Sequence, residues 1–537
     1  MTGAPLDPDG RGASGRNGAV AAATAEASRI GVEILRRGGN AVDAAVAAAF
    51  ANGVLEPNAN GLGGGGFMLI RLAGSAPVAI DFRCAAPGRS SPAMFQDAGR
   101  ALSTEGGLAA AVPGTPAGLL FALERFGSGR LTRAEIMQPA IDWAARGVPV
   151  SANLAWHIRE TAGKLRRCPA SSAIYLPGGA PPEAVLANPD GAGTLRLIAA
   201  EGRDAFYLGR VAERIVDGIR DAGGIMTLED LSGYAPRLRQ PVAGSYRGHA
   251  LFSAPPASSG GTHLIELLQI LEAFDLGRTG GAPAAHLWAE ALKLVLADRA
   301  AHMGDSDFVP VPLARLTSKA HARELAARIA PGGAGLPGGA DPPDGAGRHG
   351  SGSTTHLSVM DRAGNMVALT QTLNDFFGCG VTIAGTGITL NDDMDDFEPR
   401  PGSPNSIEPG KRPLSSMSPT LVLDPMGRAF LSIGSPGGLR IFASTAQVIS
   451  GILDSGLPVG AAINAPRLFQ DQDGPLELEG RVPGAVRAGL RRMGHRLAVR
   501  EDWDIYFGGA QAVLYDHGEG LLVGGADPRR DGQAAAF

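Results

Sequence analysis

The chain has few cysteines and no long apolar segment, and these two shortages exclude several classes of protein. Its three cysteines, Cys84, Cys168 and Cys379, are spread over 537 residues. They are too few and too widely spaced for a zinc site or a disulfide framework, and their number suits a reducing compartment. No run of about 18 consecutive apolar residues occurs, so we expect no membrane-spanning helix and no membrane partner.

Neither sign of charge is in large excess. The 48 basic and 53 acidic residues leave a formal net charge of −5, and no basic block stands out. Nucleic acid is therefore not an expected partner. The first 18 residues are polar and glycine-rich, and they lack the apolar core of about 7 to 15 residues that a secretory signal peptide carries. We therefore expect the protein to be cytoplasmic.

The residues that are abundant are typical of a large globular protein. Hydrophobic residues make up 44% of the sequence, which separates it from disordered chains. A chain of this length can form a large core or several domains. Glycine occurs 78 times, about twice its usual share. Because there is no collagen repeat, we expect the glycines to serve turns and close approaches between backbone segments.

Local patterns divide the chain into parts. Residues 1–18 are predicted to be a flexible arm, and the Ala-rich residues 19–53 to form two helices that are separated near Gly39. Residues 331–353 contain almost no apolar side chain. We expect them to be a flexible linker, because they cannot bury enough surface to become ordered. From Thr354 onward the pattern changes to one of strands.

The segment Ser353–Ser358, with the sequence STTHLS, lies at this junction between linker and strand. A hydroxyl residue at such a junction suits a chain that cuts itself there. The new N-terminal residue, Thr354, would carry both a nucleophilic Oγ and a free amine that can act as its base.

The strand that begins here is predicted to form a hairpin around Ala363. If Ala363 is the centre of the turn, Asp361 pairs with Asn365, and the same register places Thr354 directly opposite Thr372. Directly opposed side chains have Cβ atoms about 4.5–5.5 Å apart, so the hydroxyl of Thr372 could form a hydrogen bond with Oγ of Thr354. The alternative is two ordinary strand threonines, and a slip of one residue would remove the pairing.

Three later segments and one earlier arginine carry side chains suited to binding a small charged molecule. Asn391–Phe397 concentrates carboxylates, which can hold Ca²⁺ or a substrate ammonium or can simply face water. Lys411–Thr420 offers paired hydroxyls, and Gly434–Gly438 offers successive backbone N–H groups that suit an oxyanion hole. Both also fit ordinary turns. Arg83 ends a predicted strand and could bind a carboxylate through two hydrogen bonds, although single arginines are more often surface residues.

Taken in order, these segments resemble the γ-glutamyltranspeptidase family, whose members are self-processing N-terminal-nucleophile hydrolases. The resemblance runs from about residue 17 to the C-terminus. Before the linker, the matching segments are Gly63–Phe67, Ala111–Gly118, Gln138–Trp143, Pro255–Gly261, Ala297–Arg299 and Gly304–Val309. From the linker onward, they are Thr354–Val359, Thr372–Asn374, Asn391–Phe397, Lys411–Thr420, Gly434–Gly438 and Ala526–Asp531.

The resemblance implies an α+β fold, a four-layer αββα sandwich in which two antiparallel sheets stack between layers of helices. It also implies two autoprocessed chains that remain together. Cleavage of the Ser353–Thr354 bond would give a large subunit, residues 19–353 after the arm, and a small catalytic subunit, residues 354–537. Neither a metal nor an organic cofactor is implied.

The implied activity is that of a γ-glutamyltransferase or γ-glutamyl hydrolase acting on amides such as glutathione. The acyl group would pass through an ester on Thr354 to water or to an amine acceptor. The implied nucleophile is Thr354, with Thr372 as its hydrogen-bond partner and with Gly437 and Gly438 as the oxyanion hole. The implied ligands of the glutamyl α-carboxylate are Arg83, Ser415 and Ser416. Those of the α-ammonium are Asn374, Asp393 and Asp396.

Two departures from the family pattern keep other functions open. Asp393 stands where the family usually has a longer Gln or Glu, and the segment from Phe397 to Lys411 is shorter than the lid of many relatives. One alternative is therefore a related cytoplasmic acylase or amidohydrolase that acts on cephalosporin side chains, glutaryl groups or oxamate. A second is an unprocessed binding protein without activity. A third is a metal-binding role for residues 391–398.

Overall fold

The computed structural model describes residues 10–96, 99, 101–330, 332–333 and 353–537. It is an α+β protein built around two seven-stranded sheets, both antiparallel throughout. Strands are numbered in chain order. The first sheet has the strand order β1 (Ala13–Gly15), β20 (Leu521–Ala526), β19 (Gln511–Asp516), β15 (Ala429–Gly434), β14 (Thr420–Leu423), β9 (His249–Ser253) and β8 (Val242–Tyr246).

The second sheet carries the predicted hairpin at its centre. Its strand order is β21 (Gln533–Ala536), β2 (Gly18–Ala22), β10 (Thr355–Asp361), β11 (Met366–Thr372), β3 (Gly65–Arg71), β4 (Val78–Phe82) and β7 (Arg237–Arg239). The remaining strands form small separate sheets, which are β5 (Val148–Pro149) with β6 (Val185–Leu186), β12 (Thr382–Ile383) with β13 (Ile388–Thr389), and β16 (Leu468–Gln470) with β17 (Leu476–Leu478) and β18 (Leu497–Val499).

Helices precede, connect and flank these strands. In chain order they are α1 (Ala25–Arg36), α2 (Ala41–Leu55), α3 (Ala101–Thr104), α4 (Thr115–Phe126), α5 (Arg133–Arg146), α6 (Ala152–Glu160), α7 (Ala162–Leu165), α8 (Pro169–Tyr175), α9 (Pro189–Glu201), α10 (Asp204–Tyr207), α11 (Gly209–Asp221), α12 (Leu228–Gly233), α13 (Gly260–Leu271), α14 (Leu276–Thr279), α15 (Gly281–His302), α16 (Leu313–Leu316), α17 (Lys319–Ala326), α18 (Ile441–Leu453), α19 (Val459–Asn464) and α20 (Gly484–Arg492). None of the described helices is long and apolar enough to cross a membrane.

Three hydrophobic layers hold the four layers of secondary structure together. The layer between the two sheets is made by side chains such as Phe67, Met360, Leu421 and Val513. A second layer joins the outer face of the hairpin sheet to a group of helices that includes α1, α2, α4, α5 and α9. A third joins the other sheet to α13, α15 and α18. The architecture is the expected αββα sandwich, because each sheet buries one face against the other sheet and one against helices.

The alternation of side chains along β10 decides which of its residues face the space between the sheets. Leu357 and Val359 pack in the helix-covered layer, whereas Met360 packs between the sheets. The hydroxyl of Thr355 accepts a hydrogen bond from Asn52 of α2, so it also points to the helices. Because successive strand residues point to opposite faces, Thr354 and His356 point toward the other sheet.

Cap residues explain where the helices beneath the hairpin begin. Asn40 caps α2 through hydrogen bonds from Val42 and Asp43, and the Asp43 carboxylate binds the Asn40 N–H in return. Thr132 and Glu135 form the same reciprocal capping box at the start of α5. Such boxes satisfy backbone N–H groups that a helix cannot satisfy itself.

Two predictions about the N-terminal part need correction. The arm was expected to be flexible through residue 18, but Ala13–Gly15 form an edge strand that pairs with β20. Residues 1–9 lie outside the described residues. Gly18–Ala22 form a strand, although their alanines favour helix, because they pair with β10 and β21 and are fully buried. Most of the predicted flexible linker, residues 331 and 334–352, also lies outside the described residues.

Leu369→Ala is expected to destabilise the fold strongly. Leu369 lies in β11, is fully buried and belongs to the layer between the hairpin sheet and the helices. Removing its isobutyl group should lower the free energy of unfolding by about 2–5 kcal/mol, because the cavity can close only in part. The measurement is equilibrium urea unfolding on a Thr354→Ala background, chosen because the sequence predicts a cleavage site before Thr354. Leu238→Ala, at a position that is 43% exposed on the edge strand β7, should change the value by less than about 0.5 kcal/mol. Equal losses for the two variants would contradict this layering.

Candidate active site

The hydroxyl pair predicted from the hairpin register is present. Thr355 pairs with Gln371 and Met360 with Met366, which is the register that places Thr354 opposite Thr372. The Oγ atoms of Thr354 and Thr372 are 2.9 Å apart and form a hydrogen bond. The hydroxyl of Thr372 also accepts a hydrogen bond of 2.8 Å from the N–H of Asn374. That bond helps to fix the orientation of the Thr372 hydroxyl toward Thr354.

Thr354 has an unusual backbone conformation. Its φ is +97°, although it is β-branched and only 4% exposed. This region of φ is uncommon for residues other than glycine and costs on the order of 1–3 kcal/mol, so it persists only where the surroundings impose it. The strained torsion directly follows the peptide bond between Ser353 and Thr354.

Hydrogen bonds hold both sides of that peptide bond. Ser353 is fully buried, and its N–H and its hydroxyl donate to the carbonyl of Asn374 at 3.0 and 2.7 Å. The N–H of Thr354 donates to the carbonyl of Ala59 at 3.3 Å. A guanidinium Nη1 of Arg530 donates to the carbonyl of Thr354 at 3.0 Å. The bond is therefore held by three segments that are distant in sequence.

Arg530 is a site residue that was not singled out from the sequence. It is buried, and its guanidinium lies 3.7 Å from the carboxylate of Glu56. Burial lowers the pKa of Arg530 and raises that of Glu56, and the attraction between the two charges opposes both shifts. The only sequence signal was its position in the Ala526–Asp531 segment, and its contact with Thr354 depends on the long-range pairing of the two sheets.

A glycine run allows the chain at β3 to lie close to the end of β11 that carries Thr372. A Cβ at Gly64 would lie 2.0 Å from the carbonyl oxygen of Thr372, and one at Gly66 would lie 2.3 Å from that of Thr370. Any side chain at these positions would push the two strands apart. The glycines of Gly63–Gly66 therefore keep the backbone around Thr372 in place.

The predicted Gly434–Gly438 turn packs beside this centre. A Cβ at Gly434 would lie 2.4 Å from the ring of His356, and one at Gly437 would lie 3.3 Å from Cα of Gly508. Gly437 and Gly438 have φ values of +133° and +57°, which glycine adopts without strain. Among the described residues, no acceptor receives a hydrogen bond from the N–H of Gly437 or Gly438. Two such donors match the requirement for an oxyanion hole.

Arg83, Asp393 and Asp396 form one ion-pair cluster, in which Arg83 and Asp393 are buried and the side chain of Asp396 is 32% exposed. Nη1 of Arg83 lies 2.6 Å from Asp393, Nη2 contacts Asp396, and Nε donates to the carbonyl of Pro413 at 3.3 Å. The short helical turn Asp393–Asp396 brings both carboxylates to the guanidinium. The sequence had assigned the arginine and the carboxylates to opposite ends of a substrate. The structure places them in contact.

Charge and burial shift the proton affinities within this cluster. Burial alone would lower the pKa of Arg83, but Asp393 and Asp396 raise it above its ordinary value, so the guanidinium stays charged. Burial raises the pKa of Asp396 to about 7 although Arg83 opposes the shift. Asp393 is fully buried, and its Oδ2 has no hydrogen-bond partner among the described residues. These carboxylates therefore retain capacity for a cationic or hydrogen-bond-donating ligand.

The other predicted ligands lie on neighbouring loops. The side chain of Asn374 donates to the carbonyl of Asp392 at 3.2 Å, so its amide oxygen is left to accept. The hydroxyl of Ser415 accepts from the N–H of Met417 at 3.1 Å. The hydroxyl of Ser416 accepts a hydrogen bond of 3.5 Å from Arg299. Arg299 occurs in the Ala297–Arg299 segment but was not singled out as a site residue.

Among the described residues, the surroundings of Thr354 indicate neither a histidine base nor a metal site. His356 is fully buried between the hydroxyls of Thr370 and Ser358, and burial lowers its pKa to about 3. In the part of the chain that the structure describes, residues able to hold a metal converge in two other places, around His286 and around His321. The carboxylates of 391–398 point to different partners, with Asp395 bound to Ser103 rather than to Arg83.

Comparisons with known proteins agree with these features. A family model described as gamma-glutamyltranspeptidase matches residues 27–537. The acylase ACY 1 proenzyme of Pseudomonas sp. strain SE83 is 42% identical over 98% of this chain and 94% of its own length. The glutathione hydrolase proenzyme of Escherichia coli K12 is 40% identical over 96% of this chain and 90% of its own. That of Bacillus subtilis 168 is 36% identical over 97% and 91%.

Solved structures show the same similarity. The cephalosporin acylase from Bacillus halodurans superimposes with a TM-score of 0.89 over 100% of this chain and 99% of its own, at 28% identity. The γ-glutamyltranspeptidase of Helicobacter pylori is 40% identical and superimposes with a TM-score of 0.56 over 57% of this chain and 90% of its own.

His157→Phe is expected to make the fold less sensitive to acid. His157 is 1% exposed, stacks on Phe376 at 3.7 Å, and has no hydrogen-bond partner for either ring nitrogen among the described residues. Burial, helped by the charge of Arg530, lowers its pKa from 6.5 to about 3. Between these values the unfolded chain binds the extra proton, so the contribution of His157 to stability is complete above pH 6.5 and is lost as the pH falls toward 3.

The measurement is urea unfolding at pH 7.0, 5.5 and 4.5 on the Thr354→Ala background. The stability of the His157→Phe variant relative to the parent should rise steadily as the pH falls, because phenylalanine cannot bind a proton. Parallel pH profiles for the two proteins would contradict the assignment of a buried, neutral His157.

Proposed function

The chain belongs to the γ-glutamyltranspeptidase family, and from this premise we propose that it cuts itself before Thr354 and then uses Thr354 to transfer or hydrolyse γ-glutamyl groups. Its relatives are glutathione hydrolase and acylase proenzymes, and the chain is accordingly an amide-hydrolysing enzyme of this family. The observation that carries the choice of residue is the hydrogen bond between Thr354 and Thr372 at the linker end of β10.

Self-cleavage would begin with attack by Oγ of Thr354 on the carbonyl carbon of Ser353. The peptide C–N bond breaks as the acyl group moves from nitrogen to oxygen, and the nitrogen gains a proton to become the free amine of Thr354. Water then hydrolyses the ester and leaves a carboxylate on Ser353. Two features of the intact chain support this step. The strained φ of Thr354 raises the energy of the intact peptide. The hydrogen bonds on both sides of the bond restrict its motion.

The mature site would then carry nucleophile and base on one residue. The α-amine, whose ordinary pKa is about 8, takes the proton of Oγ while Oγ attacks the γ-amide carbon. The N–H groups of Gly437 and Gly438 stabilise the oxyanion, an effect of about 3–4 kcal/mol per donor in other hydrolases. The same amine returns the proton to the departing amine. The remaining Thr354 ester is released by water, which gives hydrolysis, or by an amine acceptor, which gives transfer.

Recognition of the glutamyl group would use the charged cluster next to this centre. Asn374, Asp393 and Asp396 accept hydrogen bonds from the α-ammonium, and Arg83 with Ser415 and Ser416 donates to the α-carboxylate. The pKa of about 7 for Asp396 means that its carboxylate becomes fully ionised only above neutral pH, unless a bound ammonium lowers the value. Binding of the donor should therefore weaken as the pH falls below 7.

A second candidate is an acylase that accepts acyl groups without an α-amine. The 42% identity to the acylase ACY 1 proenzyme and the TM-score of 0.89 with a cephalosporin acylase favour it. The retained carboxylates of Asp393 and Asp396 argue for a donor that carries an amine, and this is why γ-glutamyl amides are our first choice.

Release of p-nitroaniline from L-γ-glutamyl-p-nitroanilide is expected for the purified chain, with two products of residues up to 353 and from 354 in its intact mass. Thr354→Ala should remain one chain and release none. Stimulation of release by glycylglycine would indicate transfer, and its absence would indicate hydrolysis. A cleaved protein that leaves this anilide intact but acts on glutaryl-7-aminocephalosporanic acid would refute the γ-glutamyl assignment and support the acylase.

Thr372→Val is expected to lower kcat for the anilide by about 10- to 100-fold with little change in KM. The variant loses the hydrogen bond that orients the nucleophile, which is worth about 1.5–3 kcal/mol if it acts mainly in the transition state. Thr445→Val is the matched control, because Thr445 is equally buried and its hydroxyl only bonds within α18. Similar losses in both variants would show that the effect on Thr372 arises from folding rather than from catalysis.

A further inference from the structure

Two histidines and a glutamate converge where helix α15 packs against the C-terminal part of the chain. His286 and Glu290 are four residues apart in α15, so their side chains lie on one face of the helix. His495 comes from the turn that follows α20. One possible ligand atom from each residue lies within 4.8 Å of the other two, and all three residues are buried. The group lies outside the proposed active site and has no part in the proposed reaction.

The turn after α20 fixes the position of His495. Gly494 has a φ of +91°, and its N–H donates to the carbonyl of Arg491 at 3.0 Å. The N–H of His495 donates to the carbonyl of Leu490 at 3.1 Å. These two bonds form a Schellman motif, which ends a helix in one defined conformation. Leu490 also packs with Ala289 of α15, so the motif presents His495 to that helix.

The hydrogen bonds of His286 determine which of its ring nitrogens can bind a metal ion. Nε2 lies 2.8 Å from the carbonyl oxygen of Ala330, which can only accept, so Nε2 carries the proton. Nδ1 therefore has an unprotonated lone pair, and it faces Nε2 of His495 at 2.8 Å. Histidines that bind a metal ion almost always donate their other N–H to a carbonyl, a carboxylate or a water molecule in this way.

The chemical types and the spacing of the three residues suit zinc. Two imidazoles and one carboxylate form a known zinc ligand set that leaves the fourth position open. Two nitrogens bound to one tetrahedral Zn²⁺ lie about 3.3 Å apart. The rings of His286 and His495 therefore need to separate by only about 0.5 Å from their present distance of 2.8 Å.

Ordinary polar contacts are the alternative explanation of this group. His495 could donate a hydrogen bond from Nε2 to Nδ1 of His286, and Glu290 forms an ion pair of 2.6 Å with Lys293. The ion pair is compatible with both explanations, because carboxylates that bind a metal ion are themselves held by hydrogen bonds. The experiment must therefore separate a hydrogen bond between the two imidazoles from a shared metal ion.

A second group of possible ligands, Glu266, Asp298 and His321, is explained without a metal ion. Nε2 of His321 lies 2.6 Å from Asp298 and 3.4 Å from Glu266. Glu266 and Asp298 raise the pKa of His321 against the effect of burial. A protonated imidazole between two carboxylates balances much of their charge. This second group therefore serves as a control for the first.

We propose that His286, Glu290 and His495 bind one Zn²⁺ ion, which joins α15 to the turn after α20 and stabilises the fold. The inference goes beyond the proposed function and does not depend on it. His286 and Glu290 precede the Ser353–Thr354 bond, and His495 follows it. If the chain is cut at that bond, the same ion would connect the two products.

Zinc binding by the purified protein is the first test. After treatment with EDTA and removal of the chelator, titration with ZnCl₂ in a calorimeter should show one equivalent bound at this site. Zinc should also raise the temperature of half-unfolding, because an ion that binds only the folded state stabilises it. Co²⁺ in place of Zn²⁺ should give the visible absorption of a tetrahedral site with nitrogen and oxygen ligands.

His495→Gln separates the two explanations. The glutamine amide can still donate a hydrogen bond to Nδ1 of His286, but it is a poor zinc ligand. We expect it to weaken zinc binding by at least about 10- to 100-fold, the loss that removing a residue behind a ligand already causes, and to abolish the Co²⁺ absorption. Glu290→Gln keeps an acceptor for Lys293 and should weaken binding in the same direction, which provides a second variant if His495→Gln does not fold.

His321→Gln is the matched control, because it removes a buried histidine from the other group of possible ligands. It should bind zinc as tightly as the wild-type protein does. Three results would each overturn the proposal. These are wild-type protein that binds no zinc, a folded His495→Gln variant that binds it as tightly as the wild type, and an equal loss of binding in His495→Gln and His321→Gln.

Discussion

The register of the hairpin β10–β11 is the constraint on which the rest of the site depends. It brings Oγ of Thr354 and Thr372 to 2.9 Å and at the same time directs the alternate residues of β10 to helix α2. A shift of one residue would exchange the two faces, separate the hydroxyls and expose polar groups to the helix layer. Because both faces of the sheet are buried, the core that stabilises the fold also holds Thr354 in its register.

The charged groups around that hairpin come from two different parts of the fold. A negative cluster built on Arg83 lies near Asn374, and Arg299 approaches the serine pair from helix α15. The two are presented by different parts of the fold, because Arg83 follows β4 of the hairpin sheet and Arg299 lies on α15, which packs against the other sheet.

Local sequence patterns were enough to predict the secondary structure of a segment where that pattern and the tertiary environment favour the same structure. The strands after Thr354 were predictable because β-branched residues, alternation and an Asp-Arg-Ala-Gly-Asn turn all point to the same structure. Residues 19–22 were wrongly predicted to be helical because alanine favours helices, and only pairing with β10 and β21 makes them part of a strand. The edge strand Ala13–Gly15 was overlooked because its partner β20 lies more than 500 residues away in the sequence, so no local pattern indicates the pairing.

The sequence by itself determined the family resemblance, the hairpin register and the chemical types of the site residues, because these depend on neighbouring residues and on motif order. Only the tertiary structure decided that Arg83 pairs with Asp393 and Asp396, that Arg530 binds the carbonyl of Thr354, and that Arg299 reaches Ser416. Each of these contacts joins segments more than 100 residues apart. Their geometry follows from how two sheets and their helices pack, which no local pattern encodes.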